Sequence, residues 1–363
     1  MNTNSSIFSF SPKGNATAES HIIITVTDPS LAFEDQLGAV LQAAADSSRN
    51  KTVHFRRFFL SDAANQAAAL EKALKDLPSV PTSIVQQAPL NRTKIALWLY
   101  CTSPMDCPGG IPSHNGYSHR WEGSLSCPGE DSREQMWGVF HLLEDRLGAL
   151  KVARNTVRTW IFVRDVDRNY AGIVEGRKDY FNEIGLTADT HYIASTGIEG
   201  RHPDFRRLVE MDAYTVGGLH EGQLRYLYAK DHLSPTYDYG VTFERGSFIT
   251  YGDRRHIFIS GTASIDAKGR ILHEGNVALQ AGRMLENISA LLAEAGASLK
   301  NLAVGIVYLR DPSDEACVRK IVSAACPALP VLFVQGAVCR PSWLVEMECI
   351  AITPDGNPAY PDF

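Results

Sequence analysis

The chain has no apolar run approaching the roughly 18 to 20 residues that a membrane-spanning helix needs, so no such helix is expected. It also lacks a surplus of positive charge: 35 Lys and Arg stand against 41 Asp and Glu, a net charge of -6. General nucleic-acid and anionic-membrane binders need a cationic face to recruit phosphates, and this balance disfavours both. The start, MNTNSSIFSFSPKGNATAES, has neither the basic segment nor the apolar segment of a signal peptide and reads as a disordered tail over 1–20. Cysteine is sparse, with seven scattered residues and no CxxC spacing, which suits free thiols in a reducing cytoplasm better than a disulfide framework. The same spacing speaks against a zinc site at Cys101, Cys107 and Cys127, so neither metal nor cofactor is expected.

What the sequence does contain is a repeat. At 363 residues it is long enough for two or three domain-sized units. Its last third reads as two strands, helix, strand, helix and two strands. The longer helix is expected from about Val277 to Ala295, because Ala281, Met284, Leu285, Ile288, Leu291 and Leu292 recur with a period near 3.6. The middle third follows the same order. Two landmarks tie the copies together: IFVRDVD with IVYLRDPSD, and RLVEMDAYTV with WLVEMECIAI. In both copies an Arg-Asp ends a strand just before a helix, where the Asp is placed to cap the first turn. A more worn copy occupies the first third, with FFLSDAANQ at the corresponding point. The expected division is 21–105, 106–220, a connecting segment 221–245 rich in Tyr and Gly, and 246–363.

FISGTASID, VYLRD and VCRPSWLVEMECIA together resemble the Rid/YjgF family, and more narrowly the chorismatases, whose C-terminal half carries a Rid-like unit. The resemblance spans about 240–353 most clearly and 115–217 less so. It implies an α+β fold of repeated Rid/YjgF-like (chorismate-mutase-like) βαβ units that form an intramolecular pseudo-trimer, with ligand clefts between units. Rid deaminases hold the substrate carboxylate with an Arg in the strand before the closing strand. Here PVLFVQGAV puts Leu332 or a neighbour at that place. The chorismatase pattern of Cys-Arg-Pro before the closing strand is met by Cys339, Arg340 and Pro341, with Glu346 seven positions after the Cys. One departure is the middle-unit strand, where chorismatases commonly read Trp-Asn-Tyr and this chain has Trp160, Ile161 and Phe162.

The resemblance implies a small dianionic, aromatic-precursor substrate, with no nucleic acid or membrane partner, handled by a monomer or small homo-oligomer. Cleaving an enol ether requires an acid that protonates a vinyl carbon, and a Glu kept neutral by an apolar surround suits that step. Strand alternation puts Leu344, Glu346 and Glu348 on one face, so one carboxylate is the acid and the other a pocket wall or solvent group. The family motif picks Glu346, and Glu210 becomes its structural counterpart. Cys339 is implied to assist aromatisation to hydroxybenzoate, its bland alternative being a small buried hydrophobe. Arg158, Arg177 and Arg340 are the candidates to pair with carboxylates, because the guanidinium fork matches them. Tyr237, Tyr239 and Arg245 sit on the connecting segment, where a loop could close over a ligand. Gly261 and Thr262 stand where Rid proteins bring backbone against the ligand. Other readings of the same residues are an enamine/imine deaminase and a non-catalytic ligand binder.

Overall fold

The structure, a computed structural model, describes residues 2–12 and 17–363, the side chains at 238 and 239 excepted. Three sheets follow one another along the chain. The first holds β1 (Thr3–Phe10), β2 (Glu19–Val26), β3 (Thr52–Leu60), β4 (Thr82–Gln86) and β5 (Ile95–Thr102), backed by α1 (Phe33–Ser47) and α2 (Ala63–Leu74). The second holds β6 (Ser113–His114), β7 (Tyr117–Leu125), β8 (Thr156–Val163), β9 (Ala194–Glu199) and β10 (Val209–Gly217). Its helices are α3 (Ser132–Leu147), the short α4 (Val152–Asn155) and α5 (Val166–Glu183). The third holds β11 (Leu224–Leu227), β12 (Gly246–Thr250), β13 (Arg255–Thr262), β14 (Leu302–Leu309), β15 (Val331–Gln335) and β16 (Val345–Thr353), with α6 (Val277–Glu294) and α7 (Glu315–Ala325).

The strand orders are β1-β2-β5-β3-β4, β6-β7-β10-β8-β9 and β11-β12-β13-β16-β14-β15. Each is the same βαβ plan. A closing strand (β5, β10 or β16) lies antiparallel between its two neighbours, and the last two strands of each set are parallel. The helices bury one apolar stripe each. On α6 that stripe is Ala281, Met284, Leu285, Ile288, Leu291 and Leu292, as the 3.6-residue period predicts.

The sheets close on each other in a ring: β4 packs on β7, β9 on β12 and β13, and β14 on β1 and β2. Their inner faces share one interior built from Phe55, Trp98, Tyr100, Trp121, Trp160 and Tyr214, with Trp121 and Trp160 stacked at 5.7 Å. The chain therefore builds its own pseudo-trimer with three inter-unit clefts.

Some local expectations change. The disordered tail is contradicted over Thr3–Phe10, which adds an edge strand to the first sheet by pairing with β2 from Thr3 opposite Val26 to Phe10 opposite Glu19. The connecting segment contributes β11, which pairs with β12. Of the two Arg-Asp corners, Asp311 caps its turn by accepting from the Ser313 amide at 2.9 Å. Asp165 does not cap α5: it adopts φ +50°, and the Glu199 carboxylate takes the Val166 amide at 2.6 Å instead.

Candidate functional site

The register makes the three closing strands directly comparable. Glu346 lies opposite Tyr308, Glu210 opposite Phe162 and Ala96 opposite Phe59, at the same step from each strand end. Two residues on, Glu348, Asp212 and Trp98 are likewise equivalent. Opposite Glu348 and Asp212 the neighbouring strand carries a bulge, Ser260-Gly261 on β13 and Gly123-Ser124 on β7. A bulge re-aims one residue into the cleft, and the two copies put different residues there.

At the cleft between the second and third units that residue is Gly261. A Cβ built on it would fall 2.2 Å from Glu346 Oε1, so only glycine lets the carboxyl lie against this backbone. Glu346 is 5% exposed, and its pKa is pushed up to about 8, first by burial and then by the neighbouring Glu348; Arg158 and Arg245 pull it back. Near neutral pH the group is a protonated acid.

In front of it lies a narrow cleft lined by Tyr170, Arg177, Phe243, Arg245, Cys339, Arg340, Trp343 and Glu346, with Gly261 in its wall. Six of the residues singled out from sequence thus converge: Glu346, Cys339, Arg177, Arg340, Arg245 and Gly261. Arg177 is buried on α5 and donates from Nε to Thr242 Oγ1 at 3.0 Å, while Arg245 donates to the Ser234 carbonyl at 2.9 Å. Both guanidiniums flank the Phe243 ring, at 5.8 and 5.5 Å from its centroid. Arg340 lies 5.0 Å over Trp343, whose indole N–H is spent on the Ser264 carbonyl at 2.9 Å. The Cys339 thiol is pushed up to about 12, by burial and by the facing Glu346, against the pull of a Tyr170 hydrogen bond. A thiol held protonated can pass a proton but is not a standing thiolate nucleophile.

The remaining expectations fall elsewhere. Arg158 does not face the cleft. It is 1% exposed in the shared interior, with Nη2 3.0 Å from Glu348 Oε2 and a further hydrogen bond to Thr196. Glu348 is accordingly neither pocket wall nor solvent group, since Arg57 also reaches it at 3.5 Å. Thr262 is buried and spends its hydroxyl on the Ser260 carbonyl at 2.9 Å. Tyr237 is 47% exposed on a short turn outside the cleft, and the Tyr239 side chain lies outside the described residues. Trp160 and Phe162 pack around Arg57 in the interior and Ile161 faces the helices, so the Trp-Asn-Tyr departure is not in the cleft wall. Leu332 sits in the third cleft, beside Ile23 and Thr25. At the Glu346 cleft the corresponding position on β9 is Thr196, a hydroxyl residue rather than an arginine.

Tyr170, Phe243 and Trp343 were not anticipated. Tyr170 and Arg177 are two helical turns apart on α5 and so share a face, a spacing visible in NYAGIVEGR. The ring of Tyr170 is admitted by Gly197, where a Cβ would meet Tyr170 Cε2 at 3.0 Å. Trp343 stands three residues after Arg340 but had no chemical signal of its own. Among the described residues no group of three His, Cys, Asp or Glu side chains is placed to hold a metal, and no helix is long and apolar enough to cross a membrane.

Comparison with known proteins bears on the family and the fold. The family described as Endoribonuclease L-PSP matches residues 248–353. A RutC family protein of Synechocystis sp. is 35% identical over 104 residues, covering 27% of this chain and 78% of that protein. The 3-aminoacrylate deaminase RutC of Acinetobacter baylyi is 29% identical over 97 residues, 26% of this chain and 77% of the relative. A chorismatase crystal structure superposes with a TM-score of 0.64 over 83% of this chain and 93% of that chain, at 18% identity, which speaks for the fold alone. The chain belongs to the Rid/YjgF superfamily, its C-terminal unit carrying the family's sequence and its three units together a chorismatase-like architecture.

Proposed function

We propose that the chain is a chorismatase-type enzyme that cleaves the enolpyruvyl ether of chorismate between its second and third units, with Glu346 as general acid. The observation that carries the reading is the pairing of one protonated, buried carboxyl group with three guanidiniums, Arg177, Arg245 and Arg340, in a single cleft. A cleft with that charge suits a small dicarboxylate, and two carboxylates of chorismate would divide among the three arginines. Phe243 and Trp343 supply flat apolar walls for a six-membered ring.

The chemistry follows from the acid. Glu346 gives its proton to the terminal methylene carbon of the enol ether, leaving an oxocarbenium ion at the adjacent carbon. Water adds there and its surplus proton returns to Glu346. The hemiketal then collapses to pyruvate and a dihydroxycyclohexadienoate. Loss of water from that ring would give hydroxybenzoate, with the Cys339 thiol, hydrogen-bonded to Tyr170, placed to move a proton. Gly261 belongs to the site as the backbone that admits the acid.

Purified protein with chorismate should release pyruvate in a lactate-dehydrogenase-coupled assay, and Glu346→Gln should lower that release at least about a hundredfold. Absence of pyruvate from the folded wild-type protein would sink the reading. A second reading, enamine or imine hydrolysis, draws on the RutC relatives and uses the same acid to protonate an enamine carbon. It is the weaker of the two because Thr196 occupies the β9 position at this cleft. Faster ammonia release from an enamine generated in situ, without pyruvate from chorismate, would favour it.

A further inference from the structure

Glu346 and Glu348 alternate on the same face of β16, and both are buried. Glu348 is held from two other units. Arg57 on β3 of the first unit lies 3.5 Å from Glu348 Oε1, and Arg158 on β8 of the second lies 3.0 Å from Oε2. Arg57 is itself fixed by Asp212 at 2.8 Å and ringed by Phe55, Trp98, Trp160 and Phe162 at 5.0 to 5.5 Å. From Glu348 a hydrogen-bond chain runs back to the cleft. The Thr196 hydroxyl donates to Glu348 Oε2 at 2.5 Å and accepts from the Gly261 amide at 2.9 Å. Gly261 is the backbone against which the Glu346 carboxyl rests.

We propose that Glu348, clamped by Arg57 and Arg158, is a positioning residue of this site: through Thr196 it holds the Gly261 backbone in place, and from two residues away on the same face of β16 it sets the charge that the Glu346 carboxyl meets. This rests on the reading of Glu346 as the acid. Its surroundings make the assignment specific. Arg158 of β8 and Arg245 ahead of β12 draw Glu346 toward ionisation, as would Arg177 of α5 and Arg340 ahead of β16. Cys339 beside it and Tyr308 across β14 have their pKa values raised by burial and are neutral at pH 7, and Tyr170 of α5 is hydrogen-bonded to the Cys339 thiol. Burial is the larger influence on the Glu346 carboxyl, and among the described residues Glu348 supplies the opposing charge that offsets those cations. The first unit, which lines none of this cleft, thereby reaches it through Arg57.

The test is a titration of the Glu346 carboxyl in ligand-free protein by infrared spectroscopy, its band assigned by its loss in Glu346→Gln. Glu348→Gln should lower the Glu346 midpoint by about one pH unit or more, and the alkaline limb of pyruvate release should move with it. Because Glu348→Gln takes the carboxylate from Arg158 while Arg57 keeps Asp212, the charge-keeping Glu348→Asp is titrated beside it and should hold the midpoint near the wild-type value. An unchanged midpoint in folded Glu348→Gln, or an equal fall in Glu348→Asp, overturns the proposal. A lowered midpoint in a protein whose wild type releases no pyruvate would support the positioning role while removing the chorismatase reading.

Discussion

The clefts at Glu346 and Glu210 start from the same materials and end in different states. Both carboxyls sit one step from the end of a closing strand, both have pKa values pushed up to about 8 by burial, and both have an acid two residues on that is tied to a buried arginine. The difference is the bulge residue. Gly261 leaves its space to the Glu346 carboxyl and the cleft in front of it. Ser124 stands in register with Gly261 but in a left-handed backbone conformation, φ +52°: its hydroxyl donates to Glu210 and accepts from the Ile84 amide at 2.9 Å, while its own amide donates to Asp212 at 2.8 Å. One side chain turns a potential acid into a structural tie between units. In the third cleft Ala96 removes the acid altogether.

The sharpest test of that contrast is the pair of acids. Glu346→Gln should lower pyruvate release by about 10² to 10⁴-fold, the usual value of a positioned general acid, whereas Glu210→Gln should leave turnover within about twofold. Equal losses from both would erase the distinction. Next in size is Gly261→Ser, which puts the other cleft's residue type at this bulge. A Cβ 2.2 Å from Glu346 Oε1 forces the carboxyl to move, so activity should fall by about 10²-fold, or more if the new hydroxyl ties up the acid. Near-UV circular dichroism should show the fold intact.

Arginines separate the cleft from the interior. Arg177→Met removes a cleft cation and should raise KM for chorismate with a loss of about 10 to 100-fold in kcat/KM, in line with roughly 1.5–3 kcal/mol for a charged hydrogen bond. Arg158→Met should act through stability instead, by up to about 3 kcal/mol in denaturant unfolding, because it leaves the buried Glu348 carboxylate with only the longer Arg57 contact and Thr196. A KM effect without destabilisation at Arg158 would put it back among the substrate contacts.

The smallest effect is the pH dependence of stability. Glu210 and Glu346 are protonated in the fold up to about pH 8 but ionise near 4.5 when unfolded. Their contribution is full below 4.5 and is lost as pH rises through 8, at up to about 1.4 kcal/mol per unit for each group. His21 and His54, at the opposite end of the interior, are held down to about 3 by burial, so their contribution is present above 6.5 and is lost as pH falls toward 3. Urea unfolding should therefore weaken from pH 7 to 8, and either Glu→Gln substitution should reduce that slope by about half. A slope unchanged in both would mean that neither carboxyl carries a proton there.

Much of the architecture was legible in the chain. The recurrence of LVEM with an acid, the strand-end Arg-Asp pairs and the 3.6-residue stripe on α6 are local patterns, and local patterns survive folding because they are set by backbone periodicity. The site was legible in part. Cys339, Arg340 and Glu346 lie within eight positions of one another, so a motif could carry them. Arg158 was misplaced because its direction depends on which neighbour faces β8, and β1 was missed because a polar, uncharged edge strand resembles a tail in composition.

By itself the sequence determined that one βαβ plan is written three times and that only the last copy pairs a closing-strand acid with Cys-Arg-Pro, since both are matters of order and spacing along one chain. Only the tertiary structure decided which carboxyl faces a cleft and which is locked. That outcome depends on a bulge meeting a strand of another unit and on charges contributed from all three units, and low-dielectric contacts between residues such as Arg57 and Glu348 have no counterpart in sequence distance.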